Sequence, residues 1–300
     1  MHLTFCYITK YISYEKRITM PATYAHHRFG ELLLEELPQE IRSLALYNKP
    51  LYDLGQHGPD IMFYYYPLSR NRINRIGYGM HKINGKKVFR RFAKLPETSI
   101  DRDSLISYLI GFVCHFSLDS SCHSYIENKI KVSGVTHVTI EGSLERMLLL
   151  KDGKDPIRQR LTNHITPDPH NAEIITPVFA PAETKHVYKA VKSYVFYNDM
   201  LLAPEGFKRK FVYSALSLGH GEGMLIPDHQ ITKCIDSDMR LEKLFNKALG
   251  EAPALIESFL NKIEDPAAKL DSRFDGTFEA WPGWENIPVL SPEEEAEYEV

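Results

Sequence analysis

Between Ser104 and Ile126 the chain reads S-L-I-S-Y-L-I-G-F-V-C-H-F-S-L-D-S-S-C-H-S-Y-I, mostly apolar yet carrying His115, Asp119 and His123. A long stretch of this kind is a buried central helix with polar groups facing into the protein. The three polar residues stand at i, i+4 and i+8, so they share one helix face. His115 and His123 are then roughly 12 Å apart along the axis, too far for one ion to take both easily. Just downstream, T-H-V-T-I-E sets His137 and Glu141 four residues apart. That spacing lets one helix present two ligands to one ion. The simplest arrangement has at least two ions, with Asp119 between the two histidines of the first helix.

The rest of the chain fits an all-α protein. F-G-E-L-L-L-E-E-L (Phe29–Leu37) is amphipathic and ends at Pro38. The His137 helix closes at D-G-K-D-P. Further helices are expected near 171–200, 205–220, 238–249 and 251–263. Alternating strand patterns with hairpin turns are nearly absent. T-P-D-P-H-N (166–171) reads as a surface connection. The expected organisation is an extension at 1–19, one all-α domain over 20–265, and an irregular segment at 266–300 with a frayed acidic tail.

The 300 residues are 43% hydrophobic and 25% charged, an ordinary globular composition with a sizeable core. A net charge of −3 gives no overall field to attract nucleic acid, and none is expected as a partner. No run approaches the ~20 apolar residues of a membrane span. Lys10, Glu15, Lys16 and Arg17 interrupt the only candidate secretory signal, and Met20-Pro21 looks like an alternative start. Cys6, Cys114, Cys122 and Cys234 form no disulfide framework, so a reducing, cytoplasmic setting is expected. Cys122 reads as a core residue rather than a ligand.

Upstream lie His26 and His27 ahead of the amphipathic helix, Asp60 in H-G-P-D-I, and His81 in G-Y-G-M-H-K. The motifs M-P-x-x-Y-A-H-x-x-F-G, H-G-P-D-I, G-F-x-x-H-F-x-L-D-x-x-C-H and H-x-x-x-E together resemble the zinc-dependent phospholipase C family over about Met20 to Asp155. The resemblance implies an all-α fold with a zinc cluster in a cleft. It implies one ion on Asp60, His81, His115 and Asp119, and a second on His123, His137 and Glu141. A third, in secreted relatives, uses an early histidine, the bridging aspartate and the chain's terminal amine; His26 matches that histidine better than His27. It further implies that Asp60 orients or deprotonates the attacking water, with Glu127 or Glu145 as alternatives. The chain departs from the secreted enzymes in its four-residue Asp-to-His gap and in lacking a terminal tryptophan.

Mixed histidine and carboxylate sites suit Zn²⁺. Paired zinc ions can hold the attacking and leaving oxygens of a phosphoryl displacement. The expected activity is therefore zinc-dependent hydrolysis of a phosphodiester, with a phospholipid or related phosphate ester as substrate. A nuclease or soluble phosphoesterase on the same site is one alternative, and a helical binding protein with structural metals is the other. An H-E-x-x-H metalloprotease is excluded by the absence of that motif. Lys82, Lys86, Lys87, Arg90 and Arg91 have the charge for peripheral contact with an anionic membrane, or form a solvated helix face. Phe63, Tyr64, Tyr65 and Tyr66 are candidates for the core beside the metals or for head-group binding. His57 is placed beside the ligands or in a turn. His164, His170, His186, His220 and His229 are placed on the surface or in loops.

Overall fold

The computed structural model describes residues 22–204, 206–217 and 224–300. The expectations for residues 1–19, Met20, Pro21, Cys6 and His220 lie outside the described residues. The described residues form helices α1 (Thr23–Glu36), α2 (Gln39–Tyr47), α3 (Lys49–Gly55), α4 (Asn74–His81) and α5 (Gly85–Phe92). Then come α6 (Arg102–Ser133), α7 (His137–Lys151), α8 (Pro169–Ile175), α9 (Thr184–Leu201) and α10 (Phe207–Ser217). The last two are α11 (Ile235–Glu264) and α12 (Pro292–Glu297). Tight 3-10 turns, chiefly Gly58–Tyr64, join them, and no strand occurs among the described residues.

The central helix α6 begins where the Asp101 carboxylate accepts from Ser104 N–H and ends at Gly134, whose φ of 69° is the left-handed conformation that glycine adopts at least cost. It has the length and hydropathy of a membrane span, contrary to the sequence reading, but 89% of its most apolar window is buried inside the protein. It is a core helix, covered by α1, α2, α3 and α11. Helix α3 crosses it closely at two glycines: a Cβ on Gly55 would lie 2.1 Å from Tyr108 O, and one on Gly111 would lie 2.2 Å from Tyr52 O. This approach carries Gln56 and the turn Gly58–Tyr64 directly onto the polar face of α6.

Several boundaries differ from those read in the sequence. Helix α1 starts at Thr23, so His26 and His27 lie within it rather than ahead of it. The 171–200 segment is two helices, because Pro177 and Pro181 cannot donate to a helical ladder. Conversely, 238–249 and 251–263 are one helix. Pro253 removes one hydrogen bond, but Leu241, Phe245, Ala248, Ala252, Leu255, Ile256 and Phe259 form one buried stripe across it.

The segment after 265 returns to the core. Phe274 and Phe278 are fully buried, and Trp281 donates to Ser124 Oγ at 2.9 Å and Ser120 O at 3.0 Å. The acidic tail is not frayed either. Glu295, in α12, is fully buried against Arg240, with 2.6 Å between Oε1 and the guanidinium.

Candidate metal centre

The site forms where α1, the Gly58–Tyr64 turn, α4, α6 and α7 meet. Helix α1 enters it with its N-terminal amides held: Tyr24 and Ala25 N–H both donate to Glu145 Oε1, the latter at 3.3 Å. These donors have no partner within the helix, and a carboxylate there complements the helix dipole. His26 follows one residue later, with Nε2 3.2 Å from Asp119 Oδ1. Its ring stacks on His115 at 4.4 Å between centroids.

His115 and His81 are oriented by main-chain carbonyls. His115 Nδ1 donates to Gln56 O at 3.2 Å, and His81 Nδ1 donates to Gly77 O at 2.9 Å. Each ring therefore turns Nε2 toward carboxylates. His115 Nε2 lies 3.0 Å from Asp119 Oδ2; His81 Nε2 lies 2.9 Å from Asp60 Oδ1 and 3.7 Å from Asp119 Oδ2. A histidine held by a carbonyl through one nitrogen, with the other aimed into the site, is the common arrangement of a metal-ligating imidazole.

The far end of the cluster belongs to α7 and the last member of the α6 face. His123 Nε2 is 3.7 Å from Asp119 Oδ1 and 3.9 Å from Glu141 Oε1. His137 Nε2 is 2.9 Å from Glu141 Oε1. Three donor groups result, each with ligand atoms within 4.8 Å of one another: His26, His115 and Asp119; Asp60, His81 and His115; His123, His137 and Glu141. Asp119 reaches toward all three. A fourth group, His27, Glu31 and Asp53, meets the same distance test, but the Lys49 ammonium already pairs with both of its carboxylates.

Electrostatics follow from this crowding. Burial alone would raise the Asp119 carboxyl, but His115 and His123 beside it hold it well below the usual carboxylate range. Burial would lower His81, yet Asp60 outweighs it and the ring is pushed up to about 9. His137 is likewise raised to about 10, because Glu141 and Glu127 outweigh burial. Burial lowers His123. Without a cation these ligands must share protons, which metal binding would displace.

The residues fit a metal. His115 Nε2, Asp60 Oδ1 and Glu141 Oε2 are buried and close no hydrogen bond, although charged neighbours surround them. Buried polar atoms normally find partners, and a cation bound among these atoms would supply the missing one. Imidazole mixed with carboxylate is the donor set of zinc.

His57 lies in the turn after α3, in keeping with its placement beside the ligands or in a turn, but its partners were not legible in the sequence. His57, fully buried, faces His164 with 2.7 Å between Nε2 atoms and Tyr194 Oη at 3.0 Å from Nδ1. His164, expected on the surface or in a loop, lies in a turn, yet it also stacks on His27 at 3.6 Å, and burial lowers its pKa to about 2. These pairings join residues more than a hundred positions apart, so no local pattern marked them. Phe278 packs 5.9 Å from His115 and 5.6 Å from His81. Glu145, named from the sequence as an alternative base, accepts the first amides of α1. Cys114, Cys122 and Cys234 are buried free thiols, and Cys122 belongs to none of the donor groups. Phe63 and Tyr64 are buried, whereas Tyr66 is exposed. Of the basic cluster, Lys86 pairs with Asp275 and Arg91 donates to Pro177 O and Val178 O.

Glu145 carries a pH prediction. Burial pushes its carboxyl from 4.5 up to about 8, against the two amides that favour ionisation. A raised carboxyl pKa contributes stability that is present in full below the unfolded value, and that stability is lost as pH rises through the folded value. Glu145→Gln keeps an acceptor for the amides and cannot ionise. Urea denaturation should find the variant more stable than the parent at pH 9 and no better at pH 4. A gain of equal size at both pH values would contradict this.

An all-α protein that gathers five imidazoles and two further carboxylates around one buried aspartate has the architecture of a metal-dependent hydrolase. The sequence profile of the zinc dependent phospholipase C family matches residues 25–196, beyond the Asp155 limit of the motifs. The chain belongs to that family, and it is a zinc phospholipase-type hydrolase by descent. No curated protein and no solved structure matches it.

Proposed function

We propose that this protein is a zinc-dependent phosphodiesterase that cleaves a phospholipid on the glycerol side of its phosphate. His26, Asp60, His81, His115, Asp119, His123, His137 and Glu141 hold two zinc ions, with a third on the His26 side. One observation carries the reading: both oxygens of the buried Asp119 are flanked by four imidazoles within 3.0–3.7 Å. Zinc, when bound, supplies Lewis acidity toward a phosphoryl oxygen and lowers the pKa of water to about 7.

The chain's own residues do the rest. Asp60 is 4% exposed, and its Oδ1 makes no hydrogen bond. It is therefore available to take a proton from water attacking phosphorus. As the new P–O bond forms, the bond from phosphorus to the glycerol oxygen breaks, and that oxygen recovers a proton, which Asp60 can return. The carbonyls of Gln56 and Gly77 keep His115 and His81 from turning while charge builds at phosphorus.

The test is metal analysis of the purified chain together with a substrate panel. Phosphatidylcholine, a water-soluble phosphodiester and single-stranded DNA would each be supplied. Diacylglycerol release that a chelator stops and zinc restores is the expected outcome. Bound zinc with nucleotide release from DNA alone would transfer the site to a nuclease. Bound zinc with no product from any of the three would leave a metal-stabilised helical protein.

A further inference from the structure

Helix α10 has an inward side and an outward side of opposite character. Val212 and Leu216 turn inward, packing on a small core of Leu201, Ala203 and Leu225. The opposite side carries Phe207, 85% exposed, and Phe211, 65% exposed, four residues apart with their rings stacked at 6.4 Å. Two large aromatic rings in water are a sizeable cost for a helix that has already buried its other face. Lys210 lies on the same side, and Lys208 and Tyr213 flank it, all exposed. Leu68, at 86% exposure, lines the same groove as Leu216 and extends the apolar character of this end of the molecule.

Helix α10 borders that groove, which is open and apolar: Leu216 lines it with Phe63, Tyr64, Leu68, Tyr78 and Met200. The inner wall of that space is the back of the metal centre: Phe63 stacks on Tyr78 at 4.1 Å, and its ring lies 5.1 Å from His81. The groove under the inner side of α10 therefore ends beside a metal-centre histidine, and the exposed rings lie on the other side of the same helix.

We propose that the outer face of α10, with Leu68 at its side, docks the protein on an anionic phospholipid bilayer, and that the groove receives part of a lipid acyl chain. This deepens the phospholipase reading and rests on it for the second half only. The composition selects the occupant. A helix that offers Phe on its exposed face and Lys on the same side and flank matches the acyl boundary and the charged head groups of a bilayer. The buried centre of a protein–protein contact is depleted in lysine. Among the described residues, the acidic side chains Asp199 and Asp228 near this end are engaged, Asp199 with Arg160 and Asp228 with His229 and Arg209. On the neighbouring α9, Lys189 sits 3.7 Å over the exposed Tyr66 ring, adding positive charge to this end.

The test uses the full chain and sedimentation with vesicles of equimolar phosphatidylcholine and phosphatidylglycerol. Phe207→Ala/Phe211→Ala should weaken partitioning at least roughly tenfold. Lys210→Glu should weaken it roughly tenfold as well, and raised salt should mimic that loss. Both variants should melt like the parent and hydrolyse a water-soluble phosphodiester at the parent rate. Unchanged vesicle partitioning in the Phe207→Ala/Phe211→Ala variant overturns the proposal. So does a parent dimer that this variant splits into monomers, because a second copy would then cover the face. The two readings fail separately. Hydrolysis of the soluble diester without α10-dependent vesicle binding removes the docking surface alone. Vesicle binding through α10 with no hydrolysis of any ester removes the enzyme alone.

Discussion

Asp119→Ala is expected to yield a folded chain that has lost more than one metal ion and at least about 10²–10³-fold of its hydrolytic rate. Its Oδ1 faces His26 at 3.2 Å and His123 at 3.7 Å; its Oδ2 faces His115 at 3.0 Å and His81 at 3.7 Å. No other side chain in the cluster addresses imidazoles from α1, α4 and both ends of the α6 face. Removing it also removes the negative charge that keeps His26 above its ordinary pKa. Metal affinity on that side then falls for lack of a counter-charge as well as a ligand. His137→Ala is the comparison. That ring sits at the edge, 2.9 Å from Glu141 and 5.3 Å from His123 between centroids. It should cost one ion and leave the others. Elemental analysis of the two purified variants reads the difference directly, and equal losses would show that Asp119 does not bridge.

The sequence exposed the parts of this site that obey a local period and hid those that do not. His115, Asp119 and His123 could be placed on one face because helical phase alone puts them there, and the same argument holds for His137 and Glu141. Asp60 and His81 have no such phase. Each stands alone in a short element, and only family motifs pointed to them. The close crossing at Gly55 and Gly111 brings in the turn with Asp60, and His81 follows because α4 packs on that turn, with Gly77 against Pro59 O. The same limit explains the other differences. Helix α11 passes through Pro253 because a buried stripe on both sides offsets one missing hydrogen bond, and that stripe is visible only once its partners are known. The tail reads as solvated acid, yet Glu295 is held by an arginine fifty-five residues upstream. His164 is the loop residue it looks like, but only the folded chain shows that His27 and His57 meet it.

Gly58→Ala should be among the most damaging single-methyl changes in the chain, lowering stability by about 3 kcal/mol and emptying one side of the metal centre before the other. Gly58 has φ of 46°, a left-handed conformation that costs an L-residue roughly 1 kcal/mol. The larger cost is steric. A Cβ there would lie 2.4 Å from His115 Cδ2 and 2.5 Å from its Cγ. The ring has nowhere to go: it is fully buried, tied through Nδ1 to Gln56 O, and stacked on His26 at 4.4 Å. Either His115 or the turn must move, and the turn carries Asp60 two residues on. Donors around His26, Asp60, His81 and His115 should therefore disperse first, while His123, His137 and Glu141, held by α7 and the far end of the α6 face, should keep their ion. Gly134→Ala separates strain from clash. Gly134 has φ of 69°, but nothing lies within 4 Å of its missing Cβ. That variant should lose only the roughly 1 kcal/mol of backbone strain and retain every metal. Thermal melts with metal analysis on both variants decide the matter. If Gly58→Ala kept full metal content and melted like Gly134→Ala, the tight packing of the turn on His115 would not be what sets the ligand geometry.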